Sequence, residues 1–123
     1  MVPKTIDELV YRLERGMTGR RLTFSGEIEL HARLADAMAA EGLEFKQEVT
    51  LSPGERIDFM LGRLGLEVKV RQPVQSVLRQ LQRYLEQPQL DGLLMVSIRH
   101  MPDFPTELAG KPVRQFALWS YML

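Results

Sequence analysis

The chain has 123 residues, 45% of them hydrophobic and 26% charged, and its sixteen basic and sixteen acidic side chains cancel. That length fits one domain, here residues 1–123, with no room for a second core, and the composition excludes disordered and fibrous classes. Without cysteine there is no disulfide scaffold, zinc–thiolate site, iron–sulfur cluster or cysteine nucleophile, and a net charge of zero requires that any nucleic acid be held by a local basic patch or by metal ions.

Thr5-Ile6-Asp7-Glu8 reads as a capping box opening a short helix from Thr5 to Arg15, with Ile6, Leu9, Val10 and Leu13 on its apolar face. A basic, glycine-punctuated loop follows. Ser25 caps a second helix running to about Glu41, with Leu30, Leu34, Ala37 and Met38 as its stripe and Gly42 as its stop. The period then changes to two: Leu43, Phe45, Gln47, Val49 and Leu51 alternate with polar residues, as in a strand. After the Ser52–Glu55 turn, two strands are expected over 56–61 and 66–70, joined by Gly62-Arg63-Leu64-Gly65. Pro73 begins a helix with the stripe Val74, Val77, Leu78, Leu81 and Leu85, which ends before Pro88. Leu93 to Ile98 is an almost unbroken apolar run, the pattern of a strand buried on both faces. A short helix over 103–109 and a last strand over 113–121, carrying Phe116, Trp119 and Tyr121, complete the chain. The fold class is α/β: a mixed sheet flanked by helices. No apolar run approaches the roughly 20 residues of a membrane helix, and the first residues do not resemble a signal peptide, so the expectation is a cytoplasmic protein.

Charges inside apolar strands carry the chemical information, because burying an unpaired charge is costly. Asp58 sits within Ile57-Asp58-Phe59-Met60-Leu61, and Glu67 and Lys69 sit within Leu66-Glu67-Val68-Lys69-Val70. With 62–65 as the hairpin loop, Asp58 opposes Lys69, and Asp58 and Glu67 become diagonal neighbours with Cα atoms roughly 7–8 Å apart. Two carboxylates so placed repel unless a cation lies between them, and a divalent ion with oxygen ligands, most naturally magnesium, meets that need. Glu27 falls on the sheet-facing stripe of the second helix and offers a third carboxylate, whereas Glu29 falls on its outer side. His31, near Glu27 on the helix, reads as a packed or partly exposed histidine ahead of a residue at or behind the metal, and His100 takes no role.

Asp58 followed by Glu67-Val68-Lys69, with Gln80-Leu81-Gln82-Arg83-Tyr84 on the next helix, resembles the PD-(D/E)XK nuclease superfamily. The Q-x-x-x-Y spacing is similar to that of its RecB-type members, and the small size to minimal phage-type and VRR-NUC nucleases or Holliday junction resolvases. The likeness spans Ser25 to about Ile98, a restriction-endonuclease-like core in the order α-β-β-β-α-β, and it departs from the family pattern at Ile57, where the name-giving proline would stand. It implies magnesium-dependent hydrolysis of DNA phosphodiester bonds, with manganese able to substitute and branched or junction DNA among the substrates. Asp58, Glu67 and Glu27 would hold the metal, Lys69 would act on the attacking water or the transition state, and Gln80 and Tyr84 would steady Lys69 or the phosphate. Arg71, Arg79 and Arg83 would contact the DNA backbone, and a homodimer is implied. The alternative is a catalytically silent nuclease fold that serves as a nucleic-acid or protein interaction module.

Overall fold

The computed structural model covers residues 1–123. Helix α1 spans Ile6–Met17, and the Thr5 hydroxyl accepts the Glu8 amide at 3.1 Å while the Glu8 carboxylate accepts the Lys4 amide at 3.1 Å, satisfying one free first-turn donor and the amide just before the cap. Helix α2 spans Glu27–Ala40 and starts at Gly26 rather than at the expected Ser25 cap. The Ser25 hydroxyl donates instead to Glu29, at 2.8 Å. Strands β1 (Lys46–Ser52), β2 (Glu55–Leu61) and β3 (Leu64–Lys69) form an antiparallel meander. Helix α3 (Val74–Leu85) then carries the chain across to β4 (Gly92–Ser97), which is parallel to β3.

The six-stranded sheet has the order β1-β2-β3-β4-β6-β5, with β5 at Glu107–Leu108 and β6 at Lys111–Ala117. It is a mixed sheet with helices on both faces, as its sequence pattern predicts. On one face, Phe59, Leu61, Leu66, Val68, Leu94 and Val96 pack with the buried stripes of α1 and α2. On the other, Ile57, Met60, Leu93 and Met95 pack with Val77, Leu81, Tyr84 and Leu85 of α3. β4 is buried along its whole length because it feeds both cores. Burying that much apolar side chain is the main stabilising term, at about 25 cal/mol per Å². No helix is long and apolar enough to cross a membrane.

Three expectations are corrected. The β2–β3 hairpin turns on Gly62-Arg63 alone, since Leu61 pairs with Leu64 and Met60 with Gly65. Gly62 takes φ 64° there, a conformation glycine adopts at little cost. Residues 103–109 form no helix and contribute only the two-residue edge strand β5. The last strand ends at Ala117, and Trp119–Tyr121 is a single 3₁₀ turn that stacks Tyr121 on Phe116 at 5.7 Å between ring centroids.

Candidate active site

The site forms where β2 and β3 part. Their paired ladder ends at Phe59 and Leu66, and one step further Asp58 lies opposite Glu67, directly rather than diagonally as a four-residue loop would have it. Each carboxylate crosses to the other strand's freed amide. Glu67 Oε1 accepts the Asp58 N–H at 3.0 Å, and Asp58 Oδ2 accepts the Val68 N–H at 2.8 Å. Side-chain alternation along β2 also slips here: Ile57 and Met60 face α3, while Phe59 and Leu61 face the opposite helices. These bonds let two acidic groups approach without an intervening cation, because each pays its desolvation with a backbone donor.

Glu67 and Lys69 leave β3 on the α3 side, only 3% and 7% exposed. Lys69 Nζ lies 3.2 Å from Glu67 Oε2, so its partner is Glu67 and not the expected Asp58. The Tyr84 hydroxyl, 3.2 Å from the same oxygen, also lies 2.9 Å from the Arg56 carbonyl and accepts from Gln80 Nε2 at 2.7 Å. Gln80 and Tyr84, one turn apart on α3, therefore brace Glu67 rather than Lys69. A phenol has one proton, so Tyr84 donates either to Glu67 or to the Arg56 carbonyl. Burial, then the charge on Asp58, push Glu67 up to about 7, against the pull of Lys69. Burial and the neighbouring Glu67 likewise hold the Tyr84 hydroxyl above its ordinary range, so it acts as a neutral donor.

Beside Asp58 the structure also gathers two residues the sequence pattern did not single out as ligands. His31 of α2 and Glu48 of β1 form with Asp58 a group whose donor atoms all lie within 4.8 Å of one another. His31 Nε2 stands 3.6 Å from Asp58 Oδ2, and His31 Nδ1 stands 3.9 Å from Glu48 Oε1. Neither distance is a hydrogen bond. His31 Nε2 is buried and has no hydrogen-bond partner, which is costly for a ring nitrogen unless something else binds it. Glu48 stands opposite Asp58 in the β1–β2 register, and its backbone takes φ 54°, a left-handed conformation uncommon for a residue with a side chain. Bonds of about 2.1 Å to an octahedral cation set its donors about 3–4 Å apart. A cation therefore fits this nitrogen–oxygen set with small side-chain movements.

The remaining predicted residues scatter. Glu27, exposed at the first turn of α2, stands apart from the three-membered group and lines a cavity of about 850 Å³ together with Lys69 and Arg71. Glu29 is occupied by Ser25 and Arg33. Arg83 is bound to Glu55 at 2.6 Å, tying α3 to β2, and Arg79 lies on the outer face of α3 beside Gln75 and Leu78. Of the three arginines, Arg71 alone shares a cavity with Lys69. The sequence did hold a signal for His31: it precedes Leu34 and Met38 by three and seven positions, so it lies on the buried stripe. Glu48 had no such signal, because in a regular strand it reads as an outward side chain. Comparison with known proteins finds no family model, no curated protein and no solved structure that matches the chain.

Proposed function

We propose that the chain is a divalent-cation-dependent nuclease that hydrolyses phosphodiester bonds of DNA. The observation that carries this reading is the pairing of a buried Glu67–Lys69 couple with Asp58, whose Oδ2 lies 3.6 Å from a His31 nitrogen that has no hydrogen-bond partner. His31, Glu48 and Asp58 would hold the cation, and Glu67, opposite Asp58, adds negative charge that draws it there. An imidazole among carboxylates suits manganese better than magnesium, so manganese is the better occupant and magnesium the weaker one. When bound, such an ion lowers the pKa of a coordinated water and neutralises charge on the phosphate.

The protein's own groups do the rest. Lys69 stands at the cavity wall, held by Glu67 at 3.2 Å, and would act on a phosphate oxygen or on the attacking water. A charge preorganised in a dry site stabilises the transition state without reorganising. Glu67 holds the Lys69 ammonium through its Oε2 and accepts the Asp58 amide through its Oε1. Tyr84 and Gln80 keep that carboxylate in place in both protonation states, since Tyr84 can turn its proton to the Arg56 carbonyl when Glu67 is protonated.

The test is cleavage of labelled linear, flap and four-way-junction DNA with manganese, magnesium or EDTA, by the wild type and by Lys69→Ala. Cutting that needs the metal and falls at least about 100-fold in the variant, the scale of losing one preorganised charge, is the expected result. Wild type and variant that are equally inert with both metals, while folded, overturn the reading.

A further inference from the structure

The three parallel strands β3, β4 and β6 end level with one another, since Lys69 pairs with Ser97 and Ser97 with Ala117. In open α/β sheets the space beyond such carboxyl ends is where ligands bind. Here it is the cavity of about 850 Å³ that Lys69 opens into. The whole chain has no net charge, yet this wall gathers Lys69, Arg71, Arg99 and His100 against a single carboxylate, Glu27. Arg71 and Arg99 take part in no ion pair. The loop that carries Arg99 and His100 is held rigidly. The buried Ser97 hydroxyl donates to the Arg99 carbonyl at 2.8 Å, and the Gln115 amide bonds both backbone groups of Met101, at 2.8 and 2.9 Å. The first turns of α2 and α3 border the same space, neither closed by a side-chain cap. They add amide donors suited to an anion.

The rest of the wall is apolar: Phe24, Val70, Ile98, Met101 and Met122 line the same cavity. A duplex offers a protein phosphates and groove edges, its base faces being stacked away. Only an unpaired nucleotide brings a phosphate to cations and a base face to an apolar wall at once. We propose that this cavity holds an unpaired stretch of the strand next to the scissile phosphate, with Arg71 and Arg99 on its backbone and the apolar wall against its bases. The substrate class is then single-stranded DNA, or a frayed or flapped end. This rests on the nuclease reading for the word scissile, but the binding it predicts does not need cleavage.

The experiment is fluorescence anisotropy in EDTA, where nothing is cut, with a labelled single strand, the same sequence as a blunt duplex, and a strand of abasic sites. The single strand is expected to bind at least about tenfold more tightly than either of the others. Arg99→Ala, and separately Arg71→Ala, should weaken it about tenfold and lower the salt slope by about one. Both side chains are exposed and unpaired, so neither variant should disturb folding, and a melting curve checks this. Arg20→Ala, in the separate basic patch of Arg20, Arg21 and Arg33, should change affinity less than twofold. Equal affinity for all three probes, or a loss in Arg20→Ala with none in Arg99→Ala, overturns the proposal. Cleavage without this preference leaves the nuclease and removes the subsite, whereas the preference without cleavage in any metal does the reverse.

Discussion

Glu67 links the site to the stability of the chain through its protonation. Its carboxyl titrates at about 7 in the folded protein, against 4.5 for an ordinary glutamate. The folded state therefore binds more protons than the unfolded state between those values, and stability must fall as pH rises through that window and level off above it. The interval corresponds to about 3 kcal/mol. Glu67→Gln cannot titrate, so its stability relative to wild type should improve by up to about 3 kcal/mol between pH 4.5 and 7. Urea unfolding in EDTA at several pH values measures this, and a difference that stays constant with pH would refute the assignment. At this scale much of the site was legible, because Asp58, Glu67 and Lys69 are charges in apolar strands, and Gln80 and Tyr84 are one turn apart. Their partners were not. Which oxygen meets which donor depends on where two strands separate, and Glu48 carries a backbone kink at φ 54° that no side-chain pattern announces.

Elements set those positions by how closely they pack. α1 crosses α2 at Gly16, where an added Cβ would stand 2.5 Å from the Ala37 carbonyl oxygen. That oxygen belongs to a helix backbone and cannot rotate aside. Alanine would gain about 1 kcal/mol in helix propensity, but α1 would have to lift off α2, at a typical cost of 1–3 kcal/mol. Gly16→Ala should therefore be destabilising by about 1 kcal/mol net, with α2 and His31 displaced as well. Chemical denaturation decides it, and a variant as stable as wild type would mean that the helices are not held this close. Most of the elements were readable from periodicity and caps. The hairpin register was not, because two glycines three positions apart look like the two ends of one loop. Gly62 makes the turn, whereas Gly65 is small because Ile57 and Leu90 pack over it. The edge at 107–108 was unreadable for a different reason: its two residues pair with β6 across the two-residue turn Ala109-Gly110, and alanine stands where asparagine, aspartate or glycine would announce such a turn.

For the whole molecule, the candidate cation site joins three separate elements. His31 comes from α2, Glu48 from β1 and Asp58 from β2, so an ion bound there ties a helix to two strands and exists only in the folded state. Linkage then requires that the ion raise the free energy of unfolding by about 2.7 kcal/mol at a hundred times its dissociation constant. In a domain of this size that is roughly a 10 °C rise in melting temperature. Manganese should produce such a rise, magnesium a smaller one, and EDTA should reverse both. His31→Ala should remove the manganese preference, because what remains is two carboxylates with no imidazole to discriminate between the ions. The side chain is half-buried and its ring packs 5.7 Å from Phe59, so the variant will melt lower without metal. The diagnostic quantity is therefore the metal-induced increment and not the melting temperature itself. An increment that is the same in wild type and His31→Ala would mean that His31 is a core residue, and the buried, unpartnered nitrogen beside Asp58 would then have no ligand to explain it.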